Sequence, residues 1–133
     1  MAGMETTGST ASIQPRLAVD DAAAAIDFYV AALGASASER SEWEGRIAHC
    51  LLTVDGCSFA VKEADDVDPS PRALGGSPVI VTIEVADADA VAERMVEAGA
   101  TVVFAVDDHG YGYRDGRVKD PFGHQWLISQ PLG

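Results

Sequence analysis

The feature that most constrains the fold is an internal repeat of about 66 residues. The segment VDDAAAAIDFY aligns with VADADAVAERM, which places Val19 66 positions before Val85. Two helix-ending glycines, Gly34 and Gly99, are 65 positions apart, and two hairpin glycines, Gly56 and Gly123, are 67 positions apart. A period shared by three kinds of feature indicates a duplicated unit.

Each copy predicts the same order of elements, β-α-β-β-β. In the first copy a strand over 13–19 is followed by the candidate N-caps Asp20 and Asp21, then by the amphipathic helix AAAAIDFYVAAL. In the second copy a strand over 79–85 is followed by the N-cap Asp87 and another helix. Hairpin turns are expected at 44–45 and 55–56. Each half is too small to cover its own sheet, so the two must pack together.

The predicted organisation is therefore one α+β domain with duplicated βαβββ modules. We expect a disordered tail at 1–12, and a single domain over 13–130. Within that domain, module one covers 13–63, a linker rich in Pro, Gly and Asp covers 64–77, and module two covers 78–130. The modules are expected to form a cup-shaped mixed sheet with the helices on the outside.

Composition narrows the class of partner. Nine Lys and Arg residues against 21 Asp and Glu give a net charge of −12, which disfavours nucleic acid and anionic membrane surfaces and favours a cationic ligand. Cys50 and Cys57 lie on two arms of one hairpin but not opposite each other, so we expect two reduced, buried thiols and a cytoplasmic protein. No stretch is long and apolar enough for a membrane helix.

Strand alternation sorts side chains between the helix side and the opposite face of each sheet. The opposite face should present Gln14 and Arg16 from the first strand, and Thr82 and Glu84 from its repeat. Gln125 is expected beside them, with Trp126 turned toward the helices. Two further residues of the first module, Phe59 and Val61, are predicted to line the same concave surface, where small ligands usually bind.

The chain resembles the vicinal oxygen chelate superfamily of glyoxalases, bleomycin-resistance-like proteins and dioxygenases. The resemblance rests on VDDAAAAIDFYVAALGA and VKDPFGHQWLI, and DPFGHQW resembles the PhnB-like branch. It implies a homodimer whose cups are often completed by the partner chain. It also implies four metal-ligand positions, which fall at Gln14, about Val61, Ile80 and Leu127. Only Gln14 carries a lone pair there, so we expect no metal cofactor.

The three histidines do not supply a replacement ligand set. His124 follows a turn glycine and is expected to bond locally, His49 is expected to be structural, and the role of His109 is open. Glu84 is either a general base or half of an ion pair with Arg16. We assign no catalytic residue.

The candidate ligand contacts outside the strands are aromatic or cationic. Trp43 lies at a hairpin tip between two glutamates, where it could stack on a ligand or pack under a loop. A Gly-rich loop carries Tyr111, Tyr113 and Arg114, which could close over a pocket or simply pack the loop.

Three functions remain open from sequence. The leading hypothesis is a metal-independent protein that binds or sequesters an aromatic or cationic small molecule, as the resemblance to bleomycin-resistance proteins implies. The alternatives are a metal-dependent lyase, isomerase or dioxygenase, and a dimeric interaction module whose cup is filled.

Overall fold

The computed structural model describes residues 11–133, so the predicted tail falls almost wholly outside the described residues. Module one contains β1 (Arg16–Val19), α1 (Ala22–Leu33), β2 (Ser36–Trp43), β3 (Arg46–Val54) and β4 (Cys57–Glu63). A short helix, α2 (Pro71–Leu74), lies in the linker. Module two contains β5 (Ile80–Glu84), α3 (Ala88–Glu97), β6 (Thr101–Asp108), β7 (Tyr113–Lys119) and β8 (Gln125–Pro131).

The two modules have the same topology, which confirms the duplicated α+β fold. The strand orders are β1-β4-β3-β2 and β5-β8-β7-β6. In each sheet the first and last strands of the module pair in parallel, and the other pairs are antiparallel. The described strands form two separate sheets, so the arrangement is an open one and not a closed barrel.

The helix ends follow from local chemistry and are where the sequence predicts them. The Asp21 carboxylate accepts a hydrogen bond from the backbone N–H of Ala24 at 3.0 Å, and Asp87 caps α3 in the same way at 3.1 Å. Gly34 ends α1 in the left-handed conformation, with φ of 68°.

The hairpin between β3 and β4 fixes the register of module one. Asp55 and Gly56 have φ of 45° and 84°, the positive values that a two-residue type I′ turn requires. Cys50 therefore pairs with Val61 and not with Cys57, as predicted, and both thiols are free. Cys57 is exposed, however, so the expectation of two buried cysteines is wrong for this residue, which directly follows the turn.

An aromatic cluster joins the two modules. Tyr29 on α1 lies 5.1 Å from Phe59 of β4 and 5.5 Å from Trp126 of β8, measured between ring centroids. Phe28 and Phe122 extend the cluster with edge-to-face contacts. Edge-to-face rings add to the free energy gained from burial alone. The modules therefore share one core.

The carboxylate of Asp120 lies at the centre of this core and is 3% exposed. Its Oδ2 accepts hydrogen bonds from the Tyr29 hydroxyl of module one and from the Trp126 indole N–H at 2.9 Å. Its Oδ1 accepts from the backbone N–H groups of Phe122 and His124, at 2.9 and 3.0 Å. Four donors on one buried carboxylate compensate its loss of hydration.

The aromatic contacts also set how the sheets face. We call the side of each sheet that packs on its helix the covered face, and the other side the open face. Phe59 and Trp126 both lie on covered faces, and their ring centroids are 5.3 Å apart. The covered faces therefore look toward each other, with α1 and α3 packed together. The two open faces of one chain consequently point away from each other.

Within residues 11–133, no helix is long and apolar enough to cross a membrane.

The two tryptophans provide a matched test of the core. Trp126 is 2% exposed and Trp43 is 70% exposed. We expect Trp126→Ala to lower the free energy of unfolding by about 3–5 kcal/mol, because it empties a cavity and removes one donor from Asp120. Trp43→Ala should change it by no more than about 0.5 kcal/mol. Equal losses in urea-induced unfolding of the two variants would contradict this assignment of the core.

Candidate functional site

The open face of module two is organised in rows by strand register. One row runs Glu84, Ser129, Asp115 across β5, β8 and β7. The next runs Thr82, Leu127, Arg117, Phe104 and reaches β6. The third contains Ile80, Gln125 and Lys119. The predicted faces of Thr82, Glu84 and Gln125 are thus confirmed, and Trp126 lies on the covered face.

In module one the predicted faces of Phe59 and Val61 are wrong. Phe59 pairs with Leu52, and Val61 pairs with Cys50, all on the covered face. The open face carries their neighbours, including Ala60, which pairs with Arg16. The error arose in the apolar run Phe59-Ala60-Val61, where no alternation of polar and apolar residues identifies the buried side.

The same register turns His49 to the open face rather than toward the helix. Its Nε2 lies 3.7 Å from the Glu39 carboxylate. His124 is held in place by two contacts. Its ring Nε2 lies 2.9 Å from the Ala18 carbonyl oxygen, and its backbone N–H donates to Asp120 as described above.

A cavity of about 350 Å³ opens on the open face of module two. Its walls are apolar and aromatic, with a few polar groups, as is usual for small-molecule sites. The lining side chains are those of Phe104, His109, Tyr111, Asp115, Arg117 and Leu127. We refer to it as the module-two cavity.

Asp115 organises one wall of the module-two cavity. It is only 7% exposed, and its Oδ2 accepts a hydrogen bond of 2.5 Å from the Tyr111 hydroxyl. The Nε2 of His109 lies 3.0 Å from Oδ1, and the His109 and Tyr111 rings stack with centroids 5.8 Å apart. The bond to Asp115 raises the pKa of Tyr111, so its phenol stays a donor at neutral pH.

Tyr113 and Arg114, expected in a loop, are the first two residues of β7, and their side chains lie in different surroundings. The Arg114 guanidinium binds Asp89 on α3 at 2.8 Å and Asp108 on β6 at 2.9 Å. These two carboxylates raise its pKa, and they place the side chain outside the cavity as a brace between strand and helix. The Tyr113 ring lies beside that of Tyr111, with centroids 6.1 Å apart.

The remaining candidate residues are on module one. Gln14 is exposed and precedes β1, which begins at Arg16, so the first strand is shorter than the predicted 13–19. The Arg16 guanidinium donates to the Ala48 carbonyl oxygen at 3.0 Å. Trp43 is at the tip of the β2–β3 hairpin. The structure does not bring these three side chains to the module-two cavity of the same chain.

The suggested ion pair between Arg16 and Glu84 is absent from the described part of the chain. The two residues lie on the open faces of different sheets, which point in opposite directions. The sequence leaves open whether the modules pair within one chain or between two chains, and an Arg16–Glu84 pair inside one chain would require the open faces of that chain to meet.

Sequence reasoning missed Phe104, Asp115 and Arg117. A signal for two of them exists: in YRDGRVK, period-two alternation puts Asp115 and Arg117 on the same face as Tyr113. Phe104 gave no such signal, because irregular pairing between Val102 and Asp107 breaks the alternation of β6.

Comparison with known proteins identifies the family. Residues 10–128 match the model of the Glyoxalase/Bleomycin resistance protein/Dioxygenase superfamily. The chain belongs to this superfamily. An uncharacterised protein of Mycobacterium bovis is 43% identical over 129 residues, which are 91% of this chain and 84% of that protein.

Solved structures show the same fold. TioX from Micromonospora sp. ML1 is 27% identical, with a TM-score of 0.73, and the match covers 92% of this chain and all of TioX. A PhnB protein of Bacillus cereus, described as a putative 3-demethylubiquinone-9 3-methyltransferase, has a TM-score of 0.69 at 14% identity over 90% of this chain and 99% of that one. At that identity the match shows the fold alone, and the PhnB-like branch stays a prediction.

Strand register aligns the four positions that the resemblance implies for metal ligands. Arg16 pairs with Ala60 in module one as Thr82 pairs with Leu127 in module two. The position equivalent to Leu127 is therefore Ala60 and not Val61. Three of the four positions, Ala60, Ile80 and Leu127, are hydrocarbon side chains. A divalent ion needs several lone-pair donors, so these residues do not fit the superfamily's metal site.

Proposed function

We propose that this protein is a metal-independent small-molecule-binding member of the superfamily that holds a planar aromatic compound in the module-two cavity. The observation that carries this proposal is the aromatic lining of that cavity. Phe104 is 61% exposed and Tyr111 is 60% exposed, although both are large apolar rings. With Leu127 they provide surfaces on which a flat ligand can stack.

The cavity favours an aromatic ligand over a cationic one. Both oxygens of Asp115 are already bonded to Tyr111 and His109, so this carboxylate is not free for an ammonium group. The guanidinium of Arg117 lines the same cavity and would repel a cation. The net charge of −12 attracts cations to the whole surface but does not place one here.

Binding without bond-making is consistent with the side chains at the superfamily's metal positions. A lyase, isomerase or dioxygenase that uses a divalent ion would need donors where this chain has Ala60, Ile80 and Leu127. We therefore favour sequestration of an aromatic compound, in the manner of a drug-binding resistance protein. Two free thiols fit a reducing compartment such as the cytoplasm.

We also propose that the protein is a homodimer. The open faces of one chain point away from each other, so module one cannot cover the module-two cavity of its own chain. A second copy related by a two-fold axis can place its open face of module one there, and the reverse contact follows by symmetry. Exposed Ile80, Phe104 and Tyr111 on the open face of module two give such a contact apolar surface.

A thermal-shift screen of planar aromatic compounds tests the ligand class, with affinities of hits measured by calorimetry. Phe104→Ala should weaken binding about tenfold, because stacking on its ring is lost. Val102→Ala is the matched control, since Val102 lies on the same strand, is 57% exposed and pairs on the covered face. Equal affinities of the two variants would place the ligand elsewhere.

The purified protein used for the ligand screen also serves to test whether the protein binds a metal ion. After incubation with nickel, zinc, manganese or iron and desalting, elemental analysis should find far less than one ion per chain. Near-stoichiometric retention would favour the metal-dependent enzyme instead.

Light scattering tests the dimer, for which we expect the mass of two chains. Ile80→Lys puts a charge on the open face and should shift the protein to the mass of one chain without unfolding it, because the apolar contact would bury an unpaired ammonium. Val67→Lys, in the exposed linker, is the control and should stay dimeric. A wild-type monomer at high concentration, or a dimeric Ile80→Lys variant, would contradict the proposed interface.

A further inference from the structure

Arg117 differs from the other six arginines of the described chain in lacking an oxygen partner from the backbone or from a carboxylate. The other six each reach a carbonyl or carboxylate oxygen: Arg16, Arg40, Arg46, Arg72, Arg94 and Arg114. Within residues 11–133, Arg117 makes one long hydrogen bond, from Nη1 to the Gln125 amide oxygen at 3.4 Å. Its Nε is buried and has no partner.

The location of this guanidinium makes its lack of a counter-ion significant. Arg117 lies in the middle of β7, in the row between Leu127 and Phe104, and it is half-buried. Its Cζ is 5.6 Å from the centroid of the Phe104 ring, a cation–π contact that orients the planar group. A partly desolvated charge without an anion is costly, and an oxyanion offers the fork of N–H donors two hydrogen bonds at once.

The carboxylate of Asp115, on the same strand and face, is not available to neutralise it. Asp115 is two residues away on the same strand, but its oxygens are bonded to Tyr111 and His109. The Asp115 carboxylate is therefore occupied by these bonds, whereas the Arg117 guanidinium still has N–H donors that an anion in the cavity can use. The cavity is thus aromatic on its sides and cationic at one point.

We propose that the ligand of the module-two cavity is an aromatic oxyanion, a flat ring system bearing a carboxylate that Arg117 binds. The ring stacks against Phe104 and Tyr111 above Leu127, and the carboxylate accepts hydrogen bonds from the guanidinium. This inference rests on the proposed small-molecule binding at the cavity and adds the charge of the ligand. It reverses the cationic preference that the net charge suggests.

Three naphthalene probes of nearly equal shape test the charge: 2-naphthoate, 2-naphthamide and the cationic 2-naphthamidine. Calorimetry on the full chain should find 2-naphthoate bound at least tenfold more tightly than 2-naphthamide, with the amidine weakest. The reason is that hydrogen bonds between the guanidinium and a carboxylate contribute more binding free energy than those to a neutral amide. Arg117→Gln should bring the naphthoate affinity down to that of the amide. Arg117→Lys, which keeps the charge but not the fork, should retain only part of the preference.

Lys119→Gln is the matched control, because it removes the same charge from the same strand and face. It should alter the naphthoate-to-amide ratio by less than threefold. If the wild type binds naphthoate and naphthamide equally, or if Arg117→Gln keeps the preference, the charge inference is overturned while the aromatic site stands. If none of the three probes binds, and Phe104→Ala does not weaken the binding of the hits from the aromatic screen, the cavity itself is not the site.

A second copy of the chain is the other possible source of the anion. In that event Arg117→Gln would convert the dimer to a monomer, and the wild type would show no preference for naphthoate. That pair of results would also overturn the inference.

Discussion

The buried carboxylate of Asp120 is the interaction on which the rest of the molecule depends. It belongs to the turn before β8, yet one of its four donors is the Tyr29 hydroxyl of α1 in the other module. Burial and the neighbouring carboxylate raise the pKa of Tyr29 well above its ordinary value, so the phenol remains a donor throughout the physiological range. Because this bond lies among the aromatic rings of both sheets, it fixes the modules with their covered faces together.

That orientation separates stability from function. The covered faces contain the large buried residues, such as Trp126, and account for the cohesion of one chain. The open faces are left outside the core, which is why rings such as Phe104 and Tyr111 can be exposed without cost to the core. An aromatic, partly cationic cavity on such a face is suited to holding a flat ligand, and in the proposed dimer the second chain would cover it. Three of the four positions that the resemblance implies for metal ligands carry hydrocarbon side chains, which is consistent with that use.

Much of the fold could be predicted because its determinants are local. Asp21, Asp87 and Gly34 define helix ends through their own backbone contacts, and Asp55-Gly56 sets a hairpin register. Alternation was clear at Gln125 and Trp126, so their faces were predicted correctly. It was not clear in the apolar run around Ala60. The candidate site was harder to predict from sequence. The position of Phe104 depends on irregular strand pairing, and the bonds of His109 and Tyr111 to Asp115 depend on tertiary packing, which no local pattern encodes.

A double-mutant cycle between Tyr29 and Asp120 tests the central claim most directly. Tyr29→Phe removes the hydroxyl, and Asp120→Asn keeps the shape of the side chain while removing its charge. If the carboxylate joins the modules as described, the free energies of unfolding of the single and double variants will show a coupling of about 1.5–3 kcal/mol, the range for a hydrogen bond to a charged group. If the losses of unfolding free energy in the two single variants add up to that of the double variant within about 0.5 kcal/mol, the two groups do not act together. The bond could then not be what holds the covered faces of the two modules together.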